Sequence, residues 1–285
     1  MTVPPNALPE TTRSVPMQSP AGRDWRKVAE EVAVAFTCRG VTHAVMMATP
    51  AALEDFAVGF CLTEGIIERP ADLLGVEVVP RPQGIELRLD LDEARVAMLW
   101  ARHRRMAGPM GCGLCGIESL EAAMRSVPAV RSTLRLRAME IAQAVEALSR
   151  AQALHRLTHS MHAAGFWYPG EGLLALREDV GRHNAFDKLA GALAGCGKEA
   201  ARGAVVLTSR VSVDLVQKAA SVGVPVLVAI SAPTALAIRT AEASGITLVT
   251  GVRDGTYEVF SHNERIVGCL EMPSDLPLVS AGAAP

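Results

Sequence analysis

From about residue 200 onward the chain alternates strictly between two kinds of segment. Gly203 to Leu207, Val224 to Ile230 and Ile246 to Val249 are short, almost unbroken apolar runs, and between them Val213 to Val222 and Thr234 to Ser244 carry helical spacing. A strand that is apolar on both sides has no side left for water, so its sheet must be covered on both faces. This pattern predicts a three-layer α/β/α domain over residues 138–268. The same domain takes in a long helical segment over Ala138 to Leu157, a hairpin of Gly165 to Tyr168 with Leu173 to Leu176, a helix over Arg182 to Ala194 and a last strand at Tyr257 to Phe260.

The first half reads differently. Glu31 to Cys38 and Val41 to Met47 are strands joined at Arg39-Gly40, and Gly75 to Val79 and Ile85 to Leu91 are two more. Thr49-Pro50 has the form of a helix start, with a hydroxyl cap and a proline at the first helical position. That helix carries Leu53, Phe56, Ala57, Phe60 and Cys61 and ends at Glu64-Gly65, and a second helix spans Asp92 to Arg105. Residues 24–106 therefore form an α+β unit, 107–137 a loop and linker, and 1–23, rich in Pro, Thr and Ser, and 269–285 disordered tails.

The link between the halves holds the most unusual stretch, Met110-Gly111-Cys112-Gly113-Leu114-Cys115-Gly116. Three glycines in seven residues resist both helix and strand, so a mobile loop is expected. Arg104 and Arg105 lie just upstream, and neighbouring cations favour the thiolate. A nucleophilic thiol with reach and cationic surroundings fits sulfur relay, in which Cys112 accepts sulfane sulfur as a persulfide and Cys115 resolves or relays it. A structural zinc site needs four ligands, and no second Cys-x-x-Cys is present; a thioredoxin-like dithiol opens a helix, which these glycines oppose. The other four cysteines, Cys38, Cys61, Cys196 and Cys269, are isolated and read as small buried apolar groups. Six cysteines in 285 residues, with no secretory leader, argue against a disulfide framework.

A net charge of −2 gives no global case for nucleic acid or membrane partners, and no apolar run is long enough for a membrane span. Local polar patterns are more telling. Glu178 to Lys188 lies between a strand and a helix, and Thr208 to Ser212, Ser231 to Thr234 and Gly251 to Thr256 occupy equivalent turns. In open α/β sheets ligands sit at such strand ends, and helix starts attract anions. Arg182, His183, Arg210 and Ser231 together with Gly251, Val252, Arg253, Asp254, Gly255 and Thr256 are thus candidates for a phosphate- or nucleotide-binding rim, with Asp179 as a helix cap; a solvated cap with a salt bridge is the plainer reading of Glu178 to Lys188. His155, His159 and His162 lack a carboxylate partner for a metal site, and His262-Asn263-Glu264 lacks the Pro-Cys of zinc deaminases.

These pieces, taken in order, resemble the formate dehydrogenase accessory sulfurtransferase family (FdhD-type). The resemblance rests on Met46 to Pro50, Asp55 to Phe60, Thr63 to Ile67, Gly111 to Gly116, Glu178 to Lys188, Gln217 to Ala220 and Ser231 to Thr234, over roughly residues 30 to 265. It implies a cytoplasmic protein, usually a homodimer, that takes sulfur from a cysteine desulfurase as a persulfide on Cys112, assisted by Cys115. It also implies transfer to the bis-molybdopterin guanine dinucleotide cofactor of molybdenum or tungsten before insertion into formate dehydrogenase, with Gly251 to Thr256 contacting that guanine-nucleotide cofactor. No metal of the protein's own is implied, and the second domain is expected to resemble the cytidine deaminase fold without its zinc. A chaperone that only binds the cofactor is the alternative. The chain departs from the family at His159-Ser160, where Gly-Gly is usual, at Ser209 and at Thr250-Gly251.

Overall fold

A computed structural model describes residues 7–103, 128–253 and 255–268. Two units pack through a helix pair. The first is a four-stranded sheet in the order β4(Val41–Ala48)-β3(Val32–Cys38)-β6(Gly84–Leu91)-β5(Leu73–Arg81), covered by α1(Leu53–Thr63) and α2(Glu93–His103). Alternation drives it: in β6, Ile85, Leu87, Leu89 and Leu91 point inward onto Phe36, Phe56 and Phe60 while the charged residues between them point out.

The second unit is a six-stranded sheet in the order β13(Thr256–Ser261)-β12(Thr247–Arg253)-β11(Val226–Ala229)-β10(Ala204–Leu207)-β8(His162–Tyr168)-β9(Gly172–Asp179). Strands β10, β11 and β12 are parallel, β8 runs against β10, and β9 runs against β8. One face buries Phe186, Leu189, Leu215, Val216 and Ala237 from α5(Arg182–Gly195), α6(Val213–Ser221) and α7(Ala235–Ser244). The other buries Ile141, Ala144 and Leu148 from α3(Ala138–Ala151), together with Leu136 and Ile266 of the short parallel pair β7(Leu136–Arg137)-β14(Ile266–Val267). The predicted three layers are therefore present. Among the described residues no helix is long and apolar enough to cross a membrane.

Several expectations need correction. The expected tail over 1–23 contains strand β1(Thr12–Ser19), which pairs with β2(Gly22–Ala29) in a hairpin. Pro20 and Ala21 form its two-residue turn, and Gly22 takes φ 120°, which glycine allows. An isolated two-stranded hairpin is marginal, and this one leans on α4(Ala153–Thr158). The long helix over 138–157 is two helices, α3 and α4, broken at Gln152 (ψ 86°). Thr49 does not cap α1, which begins at Leu53 after a left-handed Ala52 (φ 51°). Cys38 and Cys61 are buried and burial raises both thiols above their ordinary range, but Cys196 is exposed just beyond α5. Cys269 and the tail beyond it lie outside the described residues.

Candidate functional site

The strand directions settle where the four polar turns lie. Because β9, β10, β11 and β12 all run the same way, their C-terminal ends share one edge of the sheet. The turns after β9, β10 and β11 carry Arg182 and His183, Ser209 and Arg210, and Ser231, while Gly251, expected in a turn, lies inside the C-terminal end of β12. Backbone bonds lace the last two of these turns and the end of β12 together. Val211 N–H donates to the Ala232 carbonyl at 3.2 Å, Thr234 N–H to Val211 at 3.0 Å, and Gly251 N–H to Ser231 at 3.4 Å. Gly251 sits in the irregular register between Thr250 and Arg253 with φ +64°, a left-handed conformation that glycine adopts without strain. Further out, Arg253 and Thr256 close the β12–β13 turn, where the Thr256 hydroxyl donates to the Arg253 carbonyl at 2.7 Å. Val252 points the other way and is buried with the α3 side of the core.

At the β9 end of this rim a cationic cluster gathers. His183 contacts Asp214 of α6 through its Nε2 and a carboxylate oxygen. Burial pushes the Asp214 carboxyl up, but bonding to His183 and its charge outweigh burial, and the group lies below its ordinary range. His162 begins β8 directly across from Asp179. Burial, and then the charges of Arg182, His155 and His183, hold its imidazole below the usual range, against the opposing pull of Asp179. Arg182 makes no ion pair among the described residues, and its Nε is buried without a hydrogen-bond partner. Glu178 does not face this cluster as a free charge. Its two oxygens accept the Leu154 and His155 N–H groups at 2.8 and 2.7 Å, capping α4.

Asp179 is not a helix cap either, and the Glu178 to Lys188 run is not a solvated one. Asp179, Asp187 and Lys188 are fully buried. They form the seam between the two units. Asp179 accepts Lys188 Nζ at 2.5 Å, the Thr49 N–H at 3.0 Å and the Asn184 amide at 3.0 Å. Lys188 also donates to the Thr49 carbonyl at 2.7 Å, and the Thr49 hydroxyl accepts the Val180 N–H at 3.2 Å. A second node lies further along α5. Lys218 Nζ donates to Asp187 at 2.8 and 3.0 Å, to Glu64 at 2.9 Å and to the Thr63 hydroxyl at 3.0 Å, while Thr63 donates to Asp187 at 2.6 Å. Burial raises the Asp187 carboxyl; Lys218 is held charged because its two carboxylate neighbours outweigh its own burial. Between the nodes α1 and α5 touch through glycines. A Cβ on Gly59 would lie 1.6 Å from the Asp187 carbonyl oxygen, and one on Gly191 would lie 1.9 Å from that of Asp55.

Of the residues expected at the rim, Arg182, His183, Arg210, Ser231 and Gly251 come together on one edge, with Arg253, Gly255 and Thr256 on the overhanging turn. Cys112, Cys115, Arg104, Arg105 and Asp254 lie outside the described residues. Sequence reasoning missed Asp214, whose place at the first turn after Thr208 to Ser212 was a usable signal, and it set His162 aside for want of a carboxylate neighbour. It also took Thr49 as a helix cap, and Thr63 and Lys218 only as matching motif letters, although all three build the seam.

Comparison with known proteins agrees with this architecture. A crystal structure described as a putative formate dehydrogenase accessory protein from Desulfotalea psychrophila superposes with TM-score 0.67 at 27% identity, covering 90% of this chain and 98% of that one. A protein named sulfur carrier protein FdhD from Agrobacterium fabrum is 56% identical over 243 residues, 85% of this chain and 90% of that protein. Its namesake from Bordetella petrii is 47% identical over 241 residues, 84% and 86% of the two chains. The FdhD/NarQ family model matches residues 29–267, and with that match spanning both units and the seam between them, the chain belongs to the FdhD/NarQ family.

Proposed function

We propose that the chain is a sulfur carrier for formate dehydrogenase maturation, in which Cys112 takes up sulfur and the rim holds the acceptor. The observation that carries the acceptor half is the convergence of three βα turns and the end of β12 on one edge, with Arg182 uncommitted. The thiol half rests on the Gly111 to Gly116 stretch and on the names of the relatives. In uptake, the Cys112 thiolate attacks the outer sulfur of a cysteine desulfurase persulfide. The donor's S–S bond breaks, a new one forms at Cys112, and the donor leaves as its thiol, so no oxidant is needed. In release, Cys115 attacks the inner sulfur of Cys112. Hydrosulfide leaves and a Cys112–Cys115 disulfide remains, the thiols supplying the two electrons; a cellular thiol reductant then resets the pair.

The acceptor in this reading is a substrate: the bis-molybdopterin guanine dinucleotide cofactor of molybdenum or tungsten, bound through its phosphates by Arg182, His183 and Arg210 and by the turn over 251–256, with Ser231 beside it. The order β9-β8-β10-β11-β12, with β8 reversed, supports the cytidine deaminase-like likeness. A cytoplasmic homodimer working with formate dehydrogenase completes the proposal.

The test is intact-mass spectrometry after incubation with a cysteine desulfurase and cysteine. Wild type should gain about one sulfur mass, Cys112→Ala none, because only the thiolate is nucleophilic. No gain in wild type beside an active desulfurase overturns the carrier. The rim alone would also serve a chaperone that binds the cofactor without carrying sulfur, and full formate dehydrogenase activity supported by Cys112→Ala would favour it.

A further inference from the structure

Arg182 and His183 are neighbours in the chain and His162 opens a separate strand, yet the three gather at the β9 end of the rim. His162 opens β8 opposite Asp179, Arg182 begins α5, and His183 is fixed from behind by Asp214 of α6. His155 of α4 stands behind His162, its ring Nδ1 held 3.0 Å from the Met161 carbonyl. Such a grouping of cations and imidazoles is costly without counter-charge. The nearby carboxylates do not supply it. Glu178 is spent on two N–H groups of α4, Asp179 on Lys188, Thr49 and Asn184, and Asp214 on His183. What remains is a guanidinium with a buried, unpartnered Nε beside a half-buried imidazole.

We propose that His162, Arg182 and His183 form a proton-coupled anion subsite, in which a phosphate-class dianion binds between the three side chains and draws a proton onto His162 as it enters. This rests on reading the rim as an anion site and adds a ligand-contacting residue, a positioning residue and a pH dependence to it. Asp214 is the positioning residue: by holding Nε2 of His183 it fixes the orientation of the ring. The direction of coupling follows from the groups facing His162. In the free protein burial, Arg182, His155 and His183 disfavour its proton and only Asp179 favours it. A bound dianion cancels the repulsion from Arg182 and His183 and adds attraction of its own. Its affinity therefore rises as pH falls through the histidine range, by at most about tenfold per pH unit for a single proton.

Sulfate is the probe of choice, because it has no proton of its own to exchange near neutral pH. The measurement is a pH titration of the imidazole C–H proton resonances of the full chain, with and without sulfate, the His162 signal being assigned by its loss in His162→Gln or, should that variant fold poorly, His162→Asn. The proposal expects sulfate to move the His162 midpoint upward, and Arg182→Gln to abolish that movement. Asp214→Asn should shift the His183 resonances and weaken the sulfate response while leaving the far-ultraviolet circular dichroism unchanged. If sulfate perturbs the His183 resonance but leaves the His162 midpoint where it was, the proton coupling is wrong and the anion rim stands. If sulfate perturbs neither resonance, the anion rim itself falls, and the subsite with it.

Discussion

The seam and the rim use the same residue types to opposite ends, and they meet in one segment, Glu178 to Lys188. At the seam every cation has its carboxylate, and the groups are dry: Lys188 and Asp187 are both 0% exposed. At the rim Arg182, five residues before Asp187, has no partner among the described residues. The difference is set by helical phase. Positions 184, 187 and 188 of α5 face the first unit and bond to Met47, Thr63 and Thr49, whereas 182 and 183 lie on a different side of the helix, His183 against Asp214. A run of charges therefore declares its role only when its partners are known. Buried and satisfied charges hold the structure together; a cation beside committed carboxylates is free for a ligand.

The contrast can be broken most forcefully at the second node. Lys218→Met leaves the buried Asp187 and the partly buried Glu64 without their cation, and an unfolding titration should show a loss of about 3–5 kcal/mol. A loss below about 1 kcal/mol would mean that the seam is wetter than its geometry. Next in size is Gly59→Ala. With its new Cβ 1.6 Å from a backbone oxygen, the two helices must part, and about 1–3 kcal/mol of stability should go.

At the rim the expected effects move from stability to binding. Arg182→Gln should weaken guanosine diphosphate or sulfate binding by calorimetry about tenfold, or about 1.4 kcal/mol, while stability changes by no more than about 0.5 kcal/mol. A large fall in stability instead would place Arg182 with the seam. His159 sharpens the comparison from the other side. It caps α4 in the left-handed conformation at φ 58°, its N–H donating to His155. His159→Gly should therefore raise stability by about 1 kcal/mol. The smallest effect is at acid pH. Asp214 lies below its ordinary range in the fold, so its contribution is present above the ordinary aspartate range and fades as pH falls through the lowered value. Asp214→Asn should flatten that part of the acid unfolding curve.

Much of the fold was legible because strand periodicity and unbroken apolar runs are local signals. β10, β11 and β12 and the helices between them lie where the Val, Leu and Ile runs predict, and the convergence of the polar turns follows from their spacing. The seam was not legible, since nothing local says that Thr49 meets Asp179 across 130 positions. Thr49-Pro50 carries a strong capping signal, yet long-range bonds outcompete the cap and delay α1 to Leu53. The β1–β2 hairpin was hidden for a related reason: its strands are short of apolar residues and depend on α4 for support. His162 was set aside for want of a metal-site partner; its cationic neighbours come from α4 and α5, on either side of the β8–β9 hairpin in the chain.

The seam also has a consequence for how the molecule is born. Thr49 and Thr63 leave the ribosome early, and their partners Lys188 and Lys218 follow 139 and 155 residues later. At about 5–20 residues per second, the first unit waits on the order of ten seconds with the glycine face of α1 uncovered. During that interval the nascent chain offers a bare backbone stripe with polar groups ready to bond, and whatever shelters it, a chaperone or the second half of the same chain, decides whether the two units ever meet.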